Sequence, residues 1–213
     1  MMREIYALGI GHSTPLFIEI AEAAGWRVAG LYHYNDERTG EMDHGFKILG
    51  SFKDLYEKDL SKMNFLLTMG DMQIRKETAD NLIVRGGVIP TLIHPSAMIS
   101  RFASIADQGV IIGANVELQN DVIVNENTVI RSDALVGHNT TIGKDVFIGP
   151  KALVGAFITI GDLAFIGQAS VLVSGKAEHI GRNALIGAGS LVTKAIPDDV
   201  VAVGSPAKVI KRR

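Results

Sequence analysis

One histidine in the second half of this sequence is suited to acid–base chemistry. His138 occurs in the run Val-Gly-His-Asn-Thr, residues 136–140. Imidazole exchanges a proton readily near neutral pH, so His138 can act as a general base. The following Asn139 could orient the ring through a hydrogen bond. On position alone, an ordinary surface histidine without a chemical role is the commoner case.

Three short N-terminal segments carry glycines and polar side chains that could bind a ligand: residues 9–12, 32–36 and 70–75. Each follows an apolar run that we interpret as a strand, and ligands of parallel α/β sheets bind beyond the carboxyl ends of the strands. The first segment could offer backbone N–H groups at a helix N-terminus to a phosphate or a sugar hydroxyl. A tight turn without a ligand remains open, because the full dinucleotide-binding spacing fails at Thr14. Arg75 is either a phosphate contact or a solvated helix charge.

A six-residue repeat positions His138. Every sixth residue from Ile112 to Leu172 is Ile, Val or Leu, and the residue four places after each anchor from Ile112 to Ile166 is small or β-branched. This period is the signature of a parallel β-helix, in which three hexapeptides close a coil of about 18 residues. Helices and coiled coils repeat at a shorter period.

The coil length predicts which residues surround His138. Successive coils lie about 4.8 Å apart, which places Asn120 above His138 and Ala156 below it. Asn120 is thus a second candidate to orient the imidazole. Gly155 and Ala156 are small, so we expect a slot there for a slender ligand.

Corners and ends of the β-helix also have sequence signals. Glycine follows six consecutive anchors, and we expect these glycines to adopt positive φ at sharp corners. The repeat slips by one residue near Gly109 and by two around residues 174–179, which predicts a bulge or a short loop. Exposed strand edges require a cap, which residues 196–213 can supply.

Residues 1–92 show a different pattern, in which strands alternate with helices. We predict strands at 4–8, 27–34, 46–49 and 64–69, and helices at 15–24, 52–56 and 73–84. This order is typical of a small Rossmann-like parallel α/β sheet. The sequence therefore predicts an α/β domain at 1–92 followed by an all-β domain at 93–213.

Composition excludes several classes of function. The formal net charge is −2 and the pI is near 6.3, so neither nucleic acid nor an anionic membrane is an expected partner. The chain has no cysteine, which excludes disulfides, thiolate metal sites and a cysteine nucleophile. Its apolar runs are too short for a signal peptide or a membrane span, so we expect a cytoplasmic protein.

The C-terminal motifs carry a family resemblance. The runs Ile186-Gly-Ala-Gly-Ser190, Ile196-Pro197 and Gly204-Ser-Pro-Ala-Lys208 resemble those of the left-handed β-helix acyltransferases. Together with the N-terminal domain, the Gly70-Asp71 turn and the Ile93-His-Pro-Ser-Ala97 junction, they make the whole chain similar to the sugar O-acyltransferase family related to sialic acid O-acetyltransferase. That family includes the nucleotide-amino-sugar N-acetyltransferases of bacillosamine and perosamine pathways.

The resemblance implies a homotrimer in which acetyl-CoA lies between neighbouring β-helices and the N-terminal domain holds the nucleotide sugar. His138 would be the catalytic base, with Asn139 beside it, and no metal is required. The cofactor site is expected to include Phe147, Gly155, Ala156, Gln168, Ala188 and Lys208. The sugar-nucleotide site is expected to include Gly11, His12, His33, Asp36 and Gly70.

Three positions depart from the family pattern. Many relatives place Asp or Glu after the catalytic histidine, where this chain has Asn139. A second family histidine near the thioester is replaced by Phe147. An acidic pair after the second strand is absent, and His33 and Asp36 lie in that region.

These features predict acetyl transfer from acetyl-CoA to an amino group of a nucleotide-linked 4-amino sugar, by direct attack on the thioester. An amine near its own pKa needs a weaker base than a hydroxyl does, which favours N-acetylation beside an uncharged Asn139. An O-acetyltransferase of sialic acid or another surface-polysaccharide sugar is the first alternative. A non-catalytic β-helix that binds a nucleotide sugar is the second.

Overall fold

A computed structural model describes residues 3–213. The chain divides into two compact units, with the boundary between Ile93 and His94. The elements of the first unit are β1 Arg3–Leu8, α1 Thr14–Ala23, β2 Trp26–His33, β3 Met42–Asp43, β4 Phe46–Ser51, α2 Phe52–Tyr56, β5 Phe65–Leu67, α3 Met72–Val84 and β6 Leu92–Ile93.

The first unit contains the predicted parallel α/β sheet. Its strand order is β3-β4-β2-β1-β5, and β1, β2, β4 and β5 run parallel. The short strand β3 was not predicted. It pairs antiparallel with β4 through a tight turn in which His44 (φ 46°) and Gly45 (φ 85°) are both left-handed, as a two-residue hairpin requires.

Local signals in the sequence set the ends of the helices. Pro15 opens α1, and Gly25 follows it with a φ of 84°. Ser51 and Asp54 form a capping box at the start of α2. The Asp71 carboxylate accepts from two backbone N–H groups at the start of α3. The observed helix bounds lie within one residue of those predicted.

The second unit is a left-handed parallel β-helix, and the predicted fold class is confirmed. Within residues 94–213 its short strands form three walls. Wall 1 consists of β7 Met98–Ile99, β10 Glu117–Leu118, β13 Leu135–Val136, β16 Leu153–Val154, β19 Val171–Leu172 and β22 Leu191–Val192. Wall 2 consists of β8 Ser104–Ile105, β11 Ile123–Val124, β14 Thr141–Ile142, β17 Thr159–Ile160 and β20 His179–Ile180. Wall 3 includes β9 Ile111–Ile112, β12 Val129–Ile130, β15 Phe147–Ile148, β18 Phe165–Ile166, β21 Leu185–Ile186, β23 Val200–Gly204 and β24 Ala207–Arg212.

The aliphatic anchors form the core of this unit, as the repeat predicts. All eleven anchors from Ile112 to Leu172 are buried, and so are the small or β-branched residues four places after them. Two of the latter are threonines whose hydroxyls are satisfied: Thr128 donates to the carbonyl of Gly143, and Thr140 to that of Gly155, each at 2.9 Å. The residues that repeat every six positions therefore point into the interior of the prism.

The register of the walls confirms the coil length and both slips. Leu135 pairs with Leu153, 18 residues away. Met98 pairs with Glu117, 19 residues away, because an extra residue is accommodated near Gly109 (φ 72°). Val171 pairs with Leu191, 20 residues away, because residues 174–178 form a short loop.

The glycines after the anchors have a different role from the one predicted. None of the six residues from Gly137 to Gly167 has a left-handed φ, so that expectation was wrong. A Cβ on Gly137 would lie 2.7 Å from the Ala156 nitrogen, and one on Gly161 would lie 2.6 Å from the Arg182 nitrogen. Glycine is required because the backbone of the next coil passes too close for a side chain.

Left-handed backbone occurs three residues after the anchors instead. These positions carry Asn or Asp in most coils, which tolerate a positive φ better than other non-glycine residues. The residues are Asn115, Asp121, Asn127, Asp133, Asn139, Asp145, Lys151, Phe157, Leu163, Ala169, Asn183 and Asp199.

The C-terminal segment extends wall 3. Strand β23 pairs parallel with β21, and β24 folds back antiparallel on β23. The antiparallel hairpin changes the strand direction at this end of the wall, which fits the capping role expected of residues 196–213. Across residues 3–213, the structure has no helix of the length and apolarity that crossing a membrane requires.

Candidate functional site

His138 lies at the corner between wall 1 and wall 2, where β13 ends and β14 has yet to begin. Its side chain is partly exposed, as expected of a corner residue. The Nδ1 atom lies 2.9 Å from the amide oxygen of Asn139. With that oxygen as the acceptor, Nδ1 carries the ring proton and Nε2 keeps a free lone pair. This tautomer is the one that a general base acting through Nε2 needs.

The backbone fixes Asn139 in the position from which it reaches the imidazole. Asn139 adopts a left-handed φ of 56°, and its N–H donates to the carbonyl of Asn120 in the coil above at 3.1 Å. The other candidate to orient the ring, Asn120, directs its amide to the Asp121 carboxylate at 2.7 Å. Of the two candidates, Asn139 is therefore the residue in contact with the ring.

The two neighbouring coils give His138 one polar and one apolar side. In the coil above, the Gln119 side-chain oxygen accepts from the His138 backbone N–H at 3.2 Å. In the coil below, the Phe157 ring lies edge-on to the imidazole, with centroids 5.0 Å apart and planes at 86°. Phe157 is 62% exposed. The Ala156 N–H donates to the Ser174 hydroxyl at 2.8 Å, and the slot expected beside Gly155 and Ala156 stays a prediction.

A cleft on wall 1 borders this corner. It has a volume of about 580 Å³ and is lined by the outward side chains of the first coils, including Glu117, Gln119 and Asn120. The amide nitrogen of Gln119 donates to the Glu117 carboxylate at 3.2 Å. A chain of two hydrogen bonds therefore connects Glu117 to His138.

A second groove, of about 420 Å³, runs along the outer face of wall 3 and the corner that follows it. Three of the predicted cofactor residues, Phe147, Gln168 and Ala188, line it together. The Phe147 ring stacks on Phe165, with centroids 4.7 Å apart and planes at 7°. At one end, burial lowers the pKa of the half-buried Arg131 guanidinium below its usual value. The groove is long and largely apolar, with one cationic side chain in its lining.

The groove and His138 lie at different corners of the prism. Gln168 and Ala188 are at the corner between wall 3 and wall 1, and His138 is at the corner between wall 1 and wall 2. Wall 1 separates the two within one chain. Gly155 and Ala156 belong to the corner of His138, whereas Lys208 is exposed on β24 and does not line the groove.

The first unit contains a pocket of about 410 Å³ at the carboxyl ends of β1, β2 and β5. Gly11, His12 and Gly70 line it, and all three N-terminal segments singled out from the sequence contribute to it. The aromatic side chains of Tyr34 and Phe52 form part of its lining. This arrangement matches the position expected for ligands in parallel α/β sheets.

The turn after β1 is held by its own hydrogen bonds. The Gly11 N–H donates to the Thr14 hydroxyl at 2.9 Å, and that hydroxyl donates to the Gly9 carbonyl at 3.0 Å. The Gly11 N–H is thus engaged within the turn and does not serve as a donor to a ligand.

Two other predicted residues lie outside the pocket lining. His33 is buried, and its Nδ1 lies 2.8 Å from the Asn35 amide oxygen. Asp36 is exposed beyond the end of β2. Both interpretations of Arg75 were wrong, because its side chain is fully buried and donates a hydrogen bond to the carbonyl of Leu67.

Several residues that line the wall 1 cleft or the wall 3 groove could not be predicted from the sequence. Glu117 occupies an outward position on wall 1 and Phe165 one on wall 3, and the six-residue period constrains only inward residues. Phe157 was detectable as an aromatic residue at a corner position that is usually Asn or Asp. Among residues 3–213, no group of three or more His, Asp or Glu side chains is arranged to hold a metal ion.

Solved structures similar to this one cover nearly the whole chain. A variant of perosamine N-acetyltransferase from Caulobacter crescentus, bound to CoA and GDP-perosamine, matches with a TM-score of 0.90 and 25% identity over 99% of this chain and 98% of that one. The acetyltransferase domain of PglB from Neisseria gonorrhoeae, bound to acetyl-CoA, matches with a TM-score of 0.87 and 25% identity over 99% of this chain and 100% of that one. WeeI from Acinetobacter baumannii shares the fold, with a TM-score of 0.84, 22% identity and coverage of 98% and 100%.

A local similarity in sequence adds one further protein. A stretch of 34 residues is 65% identical to a galactoside O-acetyltransferase from Lactococcus lactis, and it spans 16% of this chain and 16% of that protein. No protein-family model matches the chain. The comparisons thus combine full-length structural similarity with low sequence identity.

Proposed function

We propose that the chain, which resembles hexapeptide-repeat sugar acyltransferases over nearly its whole length, transfers the acetyl group of acetyl-CoA to an amino group of a nucleotide-linked sugar. The observation that carries this proposal is the His138–Asn139 pair, in which the amide holds Nδ1 and leaves Nε2 free. Full-length similarity to enzymes that bind CoA and GDP-perosamine supports the choice of substrates.

His138 acts as the general base in this proposal. Its Nε2 accepts a hydrogen bond from the sugar amine during attack on the thioester carbonyl and takes the proton during or after that attack. The carbon–nitrogen bond forms, the carbon–sulfur bond breaks, and the proton passes from the imidazolium to the departing CoA thiolate. The step needs neither a covalent enzyme intermediate nor a metal.

The groove of wall 3 holds the cofactor. Phe147, Gln168 and Ala188 line a largely apolar surface suited to a flexible pantetheine arm, and Arg131 supplies a positive charge for a phosphate. Phe147 offers the thioester a packing surface where relatives of the resembled family have a hydrogen-bonding histidine. Gly155 and Ala156 leave room for the acyl end beside His138, and Lys208 stays a proposed contact at the rim.

The pocket of the first unit holds the nucleotide sugar. Gly11, His12 and Gly70 line it, and the Tyr34 and Phe52 rings offer flat surfaces on which a base can stack. His33 and Asp36 lie nearby along the chain without lining the pocket. Recognition of the nucleobase of the sugar nucleotide therefore depends on contacts other than an acidic pair.

A homotrimer completes the site in this proposal. One chain presents His138 and the cofactor groove at different corners, so the acetyl group on one copy reaches the base of its neighbour. We also propose a cytoplasmic role in polysaccharide biosynthesis. Both substrates are charged phosphorylated molecules that do not cross a membrane unaided, so they meet the enzyme where they are made.

The first test measures CoA release from acetyl-CoA across a panel of nucleotide-linked 4-amino sugars and sialic acid. We expect turnover on one amino sugar, and a loss of about 10²- to 10⁴-fold in His138→Ala, because general-base catalysis contributes that much. Equal turnover in His138→Ala would contradict the assignment of the base. Binding of a nucleotide sugar without turnover would favour the non-catalytic alternative.

O-acetylation is the second candidate function, and the 34-residue match to a galactoside O-acetyltransferase favours it. The same panel separates the two functions, because an O-acetyltransferase releases CoA with sialic acid or another sugar that lacks an amine. Mass spectrometry of the product locates the acetyl group on nitrogen or oxygen.

A further inference from the structure

We propose that Glu117 makes the enzyme select an amine over a hydroxyl as the acyl acceptor. Its carboxylate accepts one N–H of the sugar amine while Nε2 of His138 accepts the other. This inference rests on the proposed acetyl transfer and deepens it, because it assigns the chemical class of the acceptor to a residue outside the His138–Asn139 pair.

Glu117 stands out from the ladder of side chains to which it belongs. The outward positions of wall 1 in the described residues 94–213 are, in order, Met98, Glu117, Leu135, Leu153, Val171 and Leu191. A carboxylate among apolar neighbours loses part of its hydration without a packing gain. Leucine fills the same position one and two coils further on, so the wall itself does not require a charge there.

The position of Glu117 connects it to the base. Its carboxylate lines the 580 Å³ cleft and accepts from the Gln119 amide at 3.2 Å. The oxygen of the same Gln119 amide accepts from the His138 backbone N–H at 3.2 Å. Gln119 therefore links the Glu117 carboxylate, which lines the cleft, to the backbone of His138 in the next coil. A carboxylate can accept about four hydrogen bonds, so the one from Gln119 leaves capacity for a ligand.

Two acceptors at one site fit an amine better than a hydroxyl. A neutral primary amine has two N–H donors and one lone pair, so bonds to His138 and Glu117 direct the lone pair toward the thioester carbonyl. A hydroxyl has a single O–H. Once His138 accepts that proton, a lone pair of the hydroxyl oxygen faces the negative carboxylate and is repelled.

The carboxylate also acts during the reaction. Attack by the amine places positive charge on nitrogen in the tetrahedral adduct, and a nearby carboxylate stabilises that charge. His138 then takes one of the two protons and passes it to the CoA thiolate, and the amide product keeps the other. An attacking hydroxyl develops no such positive charge once its proton has left.

The test compares two acceptors that differ at one atom. The acceptors are the amino sugar that gives the highest turnover and its analogue with a hydroxyl in place of the amine, and kcat/KM is measured for each. Glu117→Gln removes the charge and retains an acceptor oxygen, and Glu117→Leu removes both while matching Leu135. We expect kcat/KM for the amine to fall about 10- to 100-fold, more in Glu117→Leu, while the value for the hydroxyl analogue stays level or rises.

Glu126→Gln is the matched control. Glu126 lies at a different corner of the same β-helix and pairs with Lys144 at 3.4 Å, so the substitution removes one carboxylate charge away from the cleft. We expect this variant to keep the amine-to-hydroxyl ratio of the parent. Circular dichroism and thermal unfolding confirm that each variant is folded.

Two results overturn the inference while leaving acetyl transfer intact. One is an active parent whose Glu117 variants keep the parent's preference for the amine. The other is an equal loss on both acceptors, which indicates a structural role for Glu117. A parent that acetylates no amino sugar overturns the proposed function, and this inference with it.

Discussion

At the scale of single residues, His138 is held by contacts of two kinds. Asn139 fixes the tautomer through Nδ1, and the Phe157 ring lies edge-on to the imidazole. Phe157 adopts a φ of 60°, which is unfavourable for a bulky side chain. The exposed Phe157 ring thus packs against one side of the imidazole.

Replacing Asn139 tests the orientation of the base. Asn139→Ala removes the acceptor from Nδ1, so we expect kcat to fall about tenfold or more while KM for acetyl-CoA changes little. Asn139→Asp keeps an acceptor and adds a charge that stabilises the imidazolium, so its kcat should equal or exceed that of the parent. Steady-state kinetics of both variants provide the measurement.

An unchanged kcat in Asn139→Ala would mean that Asn139 does not orient the ring. Stability must be checked alongside, because Asn139 also occupies a left-handed corner position. Asp121→Ala changes the corresponding position one coil above and serves as a control for stability, although it also removes the hydrogen bond from the Asn120 amide.

The sequence predicts residues whose chemistry is local and misses those defined by distant contacts. His138 was identified from its type and its place after an anchor. Arg75 was misread, because its burial and its bond to Leu67 depend on how α3 packs on the sheet. Phe165 and Glu117 lie outside the inward pattern. The stacking of coils brings Phe165 beside Phe147, and Gln119 links Glu117 to the backbone of His138 in the next coil.

At the scale of elements, the corners of the β-helix combine two separate requirements. From Gly137 to Gly167 the residue after each anchor is glycine, because a Cβ there would meet the next coil at less than 3 Å. The residue two places later must accept a left-handed φ, which Asn and Asp do with least cost. From the sequence, glycine was expected to supply the left-handed φ, and the close approach of the next coil was not foreseen.

Substitution at one corner separates the two requirements. In Gly161→Ala the new Cβ meets the Arg182 nitrogen at 2.6 Å, so we expect a loss of about 2–4 kcal/mol, as for other overpacked sites. Gly189→Ala faces open space at a φ of 65°, and should lose only about 1–2 kcal/mol. Thermal and urea unfolding of both variants gives the comparison.

A smaller loss in Gly161→Ala than in Gly189→Ala would show that the coils adjust to a side chain at this corner. Gly161 lies away from the His138 corner and does not line the groove, so activity of the folded fraction of Gly161→Ala should stay near that of the parent. Gly189 follows the groove residue Ala188, and its N–H donates to the carbonyl of Gln168 at 2.9 Å, so Gly189→Ala is compared for stability alone.

The β-helix was more predictable than the α/β unit for a physical reason. Each coil repeats the same environment, so eleven anchors report one structural rule. In the first unit each element occurs once, and the two-residue strand β3 is too short to show a period. Its signal lies in the His44-Gly45 turn, which only the left-handed φ values reveal.

At the scale of the whole molecule, the separation of base and groove makes assembly part of the proposed chemistry. His138 and the Gln168–Ala188 groove occupy corners on either side of wall 1. Two defective chains should therefore complement each other if each site combines parts of two copies. One chain would supply an intact base and the other an intact groove.

Mixed trimers test this directly. His138→Ala lacks the base, and Ala188→Trp fills the groove, so each variant alone should be inactive. After unfolding and refolding a 1:1 mixture, we expect about one quarter of the parent activity, the share of sites that random trimers complete. Light scattering of the mixture confirms the oligomeric state.

No recovery in the mixture, with trimers present, would place base and cofactor within one chain. A monomer by light scattering would contradict the shared site altogether. Refolding each variant alone, and the parent alone, controls for losses during the procedure.

The 18-residue register has a consequence for how such a molecule can change over evolutionary time. A side chain on a given corner can move along the prism only in steps of one coil, about 4.8 Å, because intermediate heights belong to other corners. Extra residues, like those in the loop at 174–178, bulge outward and leave the step unchanged. The distance between two side chains on the same corner is therefore a whole number of coil steps. Insertions in loops such as 174–178 do not change that distance.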